Sequence, residues 1–267
     1  MDIIDFKDVC VGYNNKTVLN NINLQIKEGE HTVILGANGS GKSTLIKLIS
    51  NDIYPSKKTK YIKHVFGQEQ WNIWDLKSHL GIITNNLHND FLNQAQNITG
   101  LEVVISGYHS TLGSFIHQEF TNTQKEKSLE IIDFLEIEEL KTKKVSEMST
   151  GQLRKCIIGR ALIHNPKAML LDEPTVGLDI KAQINFMDII QKISKTTTII
   201  LITHHVEEIF EEISKGVLIS DGTIYKQGDK TTIITSENLS HIFKVDLNIG
   251  INTHRYYIKN INTDALN

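Results

Sequence analysis

The chain has 267 residues, 40% of them hydrophobic and 22% charged, enough for one large α/β domain, or a domain with a subdomain, around a substantial core. A net charge of −3 argues against a global pull toward nucleic acid or anionic membrane, and no segment approaches the ~20 apolar residues that span a bilayer. Two cysteines, Cys10 and Cys156, make no disulfide framework. The histidines lack zinc spacing: His204 and His205 are adjacent, and neighbours on a strand point to opposite faces. The acidic start, Met1-Asp2-Ile3-Ile4-Asp5, does not read as a signal peptide, so a cytoplasmic chain is expected. Lys57, Lys58, Lys60 and Lys63 form a local basic cluster, read as a solvated loop.

The first fifth of the chain reads as strands. Val18, Leu19, Ile22, Leu24 and Ile26 fall mostly on alternate positions before the turn signal Glu28-Gly29-Glu30. Thr32-Val33-Ile34-Leu35 is a short apolar run. A glycine-rich loop follows it, then a helix with Leu45, Ile46, Leu48 and Ile49 on its buried side. From Lys60 to Asn86 the pattern looks strand-rich, clearest at Leu80-Gly81-Ile82-Ile83. Trp71 and Trp74 are read as packing a strand-to-helix junction, in preference to marking a partner surface. From about Asp90 to Asn165 the character is helical. Thr99 and Glu102 form a possible capping box, and Leu129, Ile132 and Leu135 share helical spacing within 123–140. Strands and helices then alternate: 168–171, 197–203, and a helix from Val206 to about Ile213. Such alternation argues for a parallel sheet with helical crossovers. Ser220-Asp221-Gly222-Thr223 is a hairpin turn signal. The tail from about Asn238 reads as a small helix and strand.

Gly36-Ala37-Asn38-Gly39-Ser40-Gly41-Lys42-Ser43 matches G-x-x-x-x-G-K-[ST] in full, between a strand and a helix, with Thr44 next. Glycines let backbone amides turn inward around phosphates, and the helix start adds its positive dipole end. Lys42 can reach the β- and γ-phosphates of a nucleotide, and the Ser43 hydroxyl can ligate Mg²⁺. Ala168-Met169-Leu170-Leu171-Asp172-Glu173 is an apolar run ending in two acids, which reads as a buried parallel strand with carboxylates at its carboxyl end, where ligands bind in open α/β sheets. Asp172 suits Mg²⁺, through water, and Glu173 is a candidate general base. Taken alone, the two acids would be a solvated strand-end pair; the phosphate loop changes that balance.

Met148-Ser149-Thr150-Gly151-Gln152 decides among phosphate-binding ATPases. It resembles the signature sequence of ATP-binding cassette (ABC) ATPases, usually Leu-Ser-Gly-Gly-Gln. Ser149 with Gln152 also fits a plain capping box ahead of Leu153, Ile157 and Ala161 on one helical face. Tyr13 resembles the aromatic residue that stacks on adenine, although a core aromatic near a turn is an equal reading. Gly177-Leu178-Asp179 resembles the loop after the acidic strand, with Asp179 reaching across a dimer. His204 resembles the switch histidine at the γ-phosphate. The matches span about residues 1–230.

The resemblance implies an α/β, P-loop core with a mostly parallel sheet, an antiparallel β region and an α-helical subdomain. It places the ATPase domain at 1–237, the helical subdomain at about 87–165, and an appendage at 238–267. It also implies an ATPase using ATP and Mg²⁺. Ser149, Thr150, Gly151 and Gln152 would close on the ATP of a second nucleotide-binding domain in a homodimer. Permease subunits supplied by other chains would hold the protein on the inner face of the membrane, with no specific nucleic acid partner; the alternative is an ABC ATPase that does not transport. Two positions depart from the family pattern. Thr150 stands where glycine is usual, and Asn85 falls at the glutamine-loop position. Asparagine keeps the amide but is one methylene shorter. With Val104-Ile105-Ser106-Gly107-Tyr108, this is similar to molybdenum-transport-type cassettes.

Overall fold

The computed structural model describes residues 1–13, 16–56, 60–112, 119–253 and 255–262. In chain order the elements are β1 Asp2–Tyr13, β2 Lys16–Lys27, β3 Thr32–Leu35, α1 Lys42–Ile49, β4 Ile62–Val65, α2 Ile73–His79, β5 Leu80–Ile83, α3 Asn85–Gln94, α4 Gly100–Ile105 and α5 Asn122–Phe134. There follow α6 Thr150–Leu162, β6 Ala168–Asp172, α7 Ile180–Ser194, β7 Thr198–Thr203, β8 Lys215–Ser220, β9 Thr223–Asp229, α8 Lys230–Ile233, α9 Ser236–Phe243, β10 Asp246–Asn252 and β11 Arg255–Asn262. Two compact units result, one of Met1–Ile73 with Thr198–Asn267 and one of Trp74–Thr197.

In the first unit β1 pairs antiparallel with β2 and β4, placing Phe6 opposite Leu24 and Lys63. The alternation read from the sequence holds here: Leu19, Ile22, Leu24 and Ile26 are buried. β3 lies between β7 and β8, parallel to both, with Ile34 level with Ile202 and Val217. All four residues of β3 and all six of β7 are buried, as strands covered on both faces require. β9 returns antiparallel to β8 through Asp221 (φ 48°) and Gly222 (φ 76°), the two positive φ values of a type I′ hairpin. The carboxyl-terminal part holds α9 and the antiparallel hairpin β10–β11, where the sequence suggested a single strand.

In the second unit β5 and β6 pair in parallel, Ile82 level with Leu170. The expected capping boxes are present at Thr99/Glu102 and Ser149/Gln152, and a third, Thr121/Gln124, starts α5. Phe186, Met187, Ile190 and Ile193 bury one face of α7. No helix among the described residues is long and apolar enough to cross a membrane.

Several expectations are corrected. The segment 73–79 is helical: Ser78 Oγ donates to the Asp75 carbonyl, closing a turn that the aromatic and β-branched residues around it do not advertise. No α-helix runs from Val206 to Ile213, only a short 3₁₀ turn at Val206–Glu208. The chain becomes extended at Ile209 because the Ser214 and Lys215 amides must reach the His31 carbonyl to enter β8. In α5 Leu129 is exposed and Ile131 is buried instead. Lys63 is no solvated lysine: it is buried on β4, donates to Asn51 Oδ1, and burial lowers its pKa to about 8. Lys57 and Lys58 of the same cluster lie outside the described residues. Trp71 packs edge-on against Phe66 and donates to the Val65 carbonyl, as expected, whereas Trp74 is 61% exposed.

One turn carries a large share of the first unit's order. The Gly222 amide donates to the Ser40 carbonyl at 3.0 Å, and the Gly222 carbonyl accepts from the Asn20 amide at 2.8 Å. A Cβ on Gly222 would lie 2.2 Å from the Val18 carbonyl oxygen, and its φ is one that L side chains disfavour. Gly222→Ala is expected to cost about 1–3 kcal/mol, read as a lowered midpoint of thermal unfolding. An unchanged midpoint would show that the turn relaxes without loss.

Candidate functional site

In the first unit β3 delivers the chain into Gly36–Lys42. A Cβ on Gly36 would sit 2.5 Å from the Ile219 carbonyl oxygen and 2.6 Å from Ser40 Oγ. Gly41 has φ 108°, and a Cβ there would meet the Leu19 side chain at 2.7 Å. Both positions therefore exclude side chains. Gly41 is also the N-cap of α1 and brings no capping side chain, and no acid lies in the first turn. The amides at this helix start are thus left to an anion, favoured further by the helix dipole. Lys42 is buried, its ammonium donating to the carbonyls of Gly36 at 2.7 Å and Ala37 at 3.0 Å. Ser40 Oγ is buried with no hydrogen-bond partner among the described residues, an orphan polar atom inside the loop. Asn38, Gly39 and Ser43 are exposed, while Ala37 and Thr44 are half-buried. The loop therefore fits a phosphate chain.

Tyr13 ends β1, 44% exposed. His204 lies one residue past the end of β7, half-buried, its ring centroid 4.0 Å from that of His205. The expectation that the two rings point to opposite faces fails, because both residues lie beyond the strand, where the period of two no longer applies.

In the second unit β6 ends at Asp172, which is half-buried, as is Glu173. Glu173 has φ 46°. For a residue that is not glycine this conformation is held at a cost of about 1–3 kcal/mol, and the residue before a proline favours extended backbone; Pro174 follows. Asp179 is the N-cap of α7, its carboxylate accepting from the Ala182 amide at 2.8 Å. Ser149 caps α6: its Oγ accepts from the Gln152 amide at 3.3 Å, and Gln152 Oε1 accepts from the Ser149 amide and from Lys143 Nζ, both at 3.0 Å. Gly151 lets α6 approach α7, since a Cβ there would lie 3.2 Å from the Ala182 methyl. Thr150, beside it, is half-buried.

Sequence reading missed Arg154. It is 2% exposed on α6, among Leu153, Ile157 and Ile158. Its Nη1 donates to the Pro174 carbonyl and, at 3.5 Å, toward that of Glu173. Its Nη2 donates to the Val176 carbonyl at 3.2 Å and to Asn85 Oδ1 at 2.8 Å. An arginine inside an apolar helical stripe was the signal that could have found it. Asn85 itself is the first residue of α3, behind the N-cap Thr84. One turn on, His88 is buried with Nδ1 unpartnered; burial first, and the Arg154 charge second, lower its pKa to about 4.

The unfolded chain protonates His88 near pH 6.5 and the folded chain only near pH 4, so stability is full above about pH 6.5 and declines as pH falls toward 4. His31 and His164, lowered mainly by burial, act in the same direction. Melting temperatures from pH 7.5 down to 5 should fall for the native chain and fall less for His88→Gln; an identical decline in both would remove His88 from the effect.

Comparison with known proteins gives one answer. Residues 19–176 match the family model described as ABC transporter. A provisionally named ABC transporter ATP-binding protein of Streptococcus mutans is 30% identical over 97% of this chain and 99% of its own. The ABC transporter ATP-binding protein ModF of Escherichia coli is 32% identical over 81% of this chain and 44% of its own length. Among solved structures, an inward-facing ABC transporter provisionally described as of the metal-chelate type aligns with a TM-score of 0.78 at 20% identity, covering 100% of both chains; at that identity the likeness establishes the fold.

Proposed function

The chain belongs to the ABC transporter family of ATP-binding cassettes, and from that premise we propose that it hydrolyses Mg-ATP as one of two nucleotide-binding domains driving separate permease subunits. The observation that carries this reading is the loop at Gly36–Lys42, with its uncapped helix start and a buried ammonium folded over two carbonyls. Such a preformed set of backbone donors needs little reorganisation to receive phosphate oxygens. Lys42 moves its ammonium from the two carbonyls to the β- and γ-phosphates, and the amides of the loop hold the remainder.

Tyr13 stacks on the adenine. Glu173 takes a proton from the attacking water, and His204 orients that water at the γ-phosphate. Ser43 and Asp172 offer a hydroxyl and a carboxylate, the hard oxygen donors that Mg²⁺ prefers. An Mg²⁺ ion held by these oxygens would supply neutralising charge to the phosphoryl group being transferred. Ser149, Thr150, Gly151 and Gln152 face the nucleotide of the partner domain, and Asp179 reaches toward the same interface. The core cassette is assigned to 1–237, the helical subdomain to about 87–165 and the appendage to 238–267. A cytoplasmic position, peripheral to the membrane, follows from dependence on a permease. The metal-chelate description of the structural relative makes a metal-ion or metal-chelate permease the partner to seek first by co-purification from membranes.

Glu173→Gln should retain nucleotide binding and lose turnover by roughly 10²-fold or more, the range for a lost general base. Near-normal hydrolysis by that variant would remove Glu173 from the role.

One chain carries both the phosphate loop and the signature segment, which in the proposed dimer serve opposite nucleotides. Light scattering on Glu173→Gln should show monomers without nucleotide and dimers with ATP. A mass that ATP leaves unchanged at high protein concentration would point to a different cassette as partner.

A further inference from the structure

We propose that Arg154 is a positioning residue that holds the Glu173 turn in its working geometry and links it directly to Asn85, so that one guanidinium couples the start of α3 to the catalytic end of β6. The inference rests on the reading of Glu173 as general base. Glu173 sits in a left-handed conformation immediately before a proline. Neither feature is stable by itself, so the turn needs an external hold. The hold in this unit is a planar fork. One nitrogen reaches the carbonyls of Pro174 and Glu173, the other the carbonyl of Val176. Three carbonyls within four consecutive residues thus converge on one side chain, which is itself buried on α6.

The nitrogen that reaches Val176, Nη2, also donates to Asn85 Oδ1, at 2.8 Å. The side-chain oxygen at the glutamine-loop position is therefore a partner of Arg154. Any displacement of the start of α3 changes the load on the guanidinium, and the guanidinium transmits it to the carbonyls around Glu173. His88, buried on the next turn of α3 and kept neutral, adds no competing charge on that side. A lysine could replace the charge of Arg154 but not its fork, because an ammonium is a compact point charge that cannot span both directions.

The test uses the full chain in single-turnover hydrolysis with protein in excess over radiolabelled ATP, alongside fluorescent-nucleotide affinity and urea unfolding. Arg154→Ala and Arg154→Lys should both slow hydrolysis by roughly 10- to 100-fold, the penalty of a misplaced reacting group, while nucleotide affinity stays within about 2-fold. Asn85→Ala should slow hydrolysis less, and the double variant Asn85→Ala/Arg154→Ala should be no slower than Arg154→Ala, because the two act as one unit. In urea the same pair should show a non-zero coupling in unfolding midpoints, a readout independent of turnover. Wild-type rates in Arg154→Lys, additive effects in both assays, or a loss of affinity that tracks the loss of rate would overturn the proposal. Glu173→Gln separates the two readings. If it hydrolyses normally, the general-base assignment fails; if it is slow while Arg154→Ala is normal, only the positioning role fails.

Discussion

An α-helix that begins without a side-chain cap leaves its first amide protons to whatever lies ahead of it, and the first unit is arranged around keeping such a start open at α1. β3 is held in parallel register between β7 and β8, so its end is fixed. Ile219 at the end of β8 and Leu19 on β2 press on Gly36 and Gly41, so that any side chain at those positions would be expelled. The hairpin turn then ties Ser40 back to Gly222 and on to Asn20. The antiparallel and parallel sheets of this unit therefore meet on the same short loop. The loop's shape is over-determined by neighbours that have no chemistry of their own.

The start of α6 solves the same end problem in the opposite way. Ser149 and Gln152 satisfy each other, and Lys143 adds a further donor to the Gln152 oxygen. This end is therefore satisfied by its own side chains, and the amides of Thr150 and Gly151 stand ahead of the one used by the box. Gly151 is needed for contact with α7, whereas position 150 is half-buried and carries no such constraint. A threonine is tolerated there for that reason, although the family pattern prefers glycine. A helix N-terminus can thus be well capped and still present amides.

Legibility in the sequence followed how local the cause was. The glycine-rich loop between β3 and α1, the two capping boxes, the hairpin turn and the alternation in β2 are each determined within a few residues, and each was readable. The segment after β7 was not. Val206, Ile209, Phe210 and Ile213 have helical spacing and are all buried, yet the segment forms two short turns, Val206 to Ile209 and Phe210 to Ile213, before Ser214 and Lys215 bond to His31, far away in the chain. Lys63 misled for a similar reason: beside Lys60 it looks solvated, but pairing of β4 with β1 turns it inward against Asn51 and Tyr54. The adjacent histidines misled because a strand's period was extended one step past its last residue. Arg154 was hidden by composition, since three of its acceptors are backbone carbonyls, which leave no mark in a motif, and the fourth, Asn85, is far away in the chain.

That last case changes what the asparagine at 85 means. Judged by length alone, a side chain one methylene short of glutamine, about 1.5 Å less in reach, reads as falling short of its partner, since a hydrogen bond weakens quickly beyond about 3.2 Å. In the folded unit its oxygen is 2.8 Å from Arg154, a charge-assisted bond at the favourable end of the range. The shorter side chain is thus matched to a partner that stands close, and that partner is the residue gripping the turn at Glu173. Reach toward a distant phosphate and coupling to a nearby guanidinium are different solutions to one requirement, that the start of α3 be felt at the end of β6. A long flexible amide would have to choose between them at each moment; a short one held by a buried, planar cation has a single geometry. The departure at position 85 and the arginine at 154 are therefore best understood as one feature. The shorter amide read in the sequence is, in the fold, one end of a direct bond to a buried guanidinium.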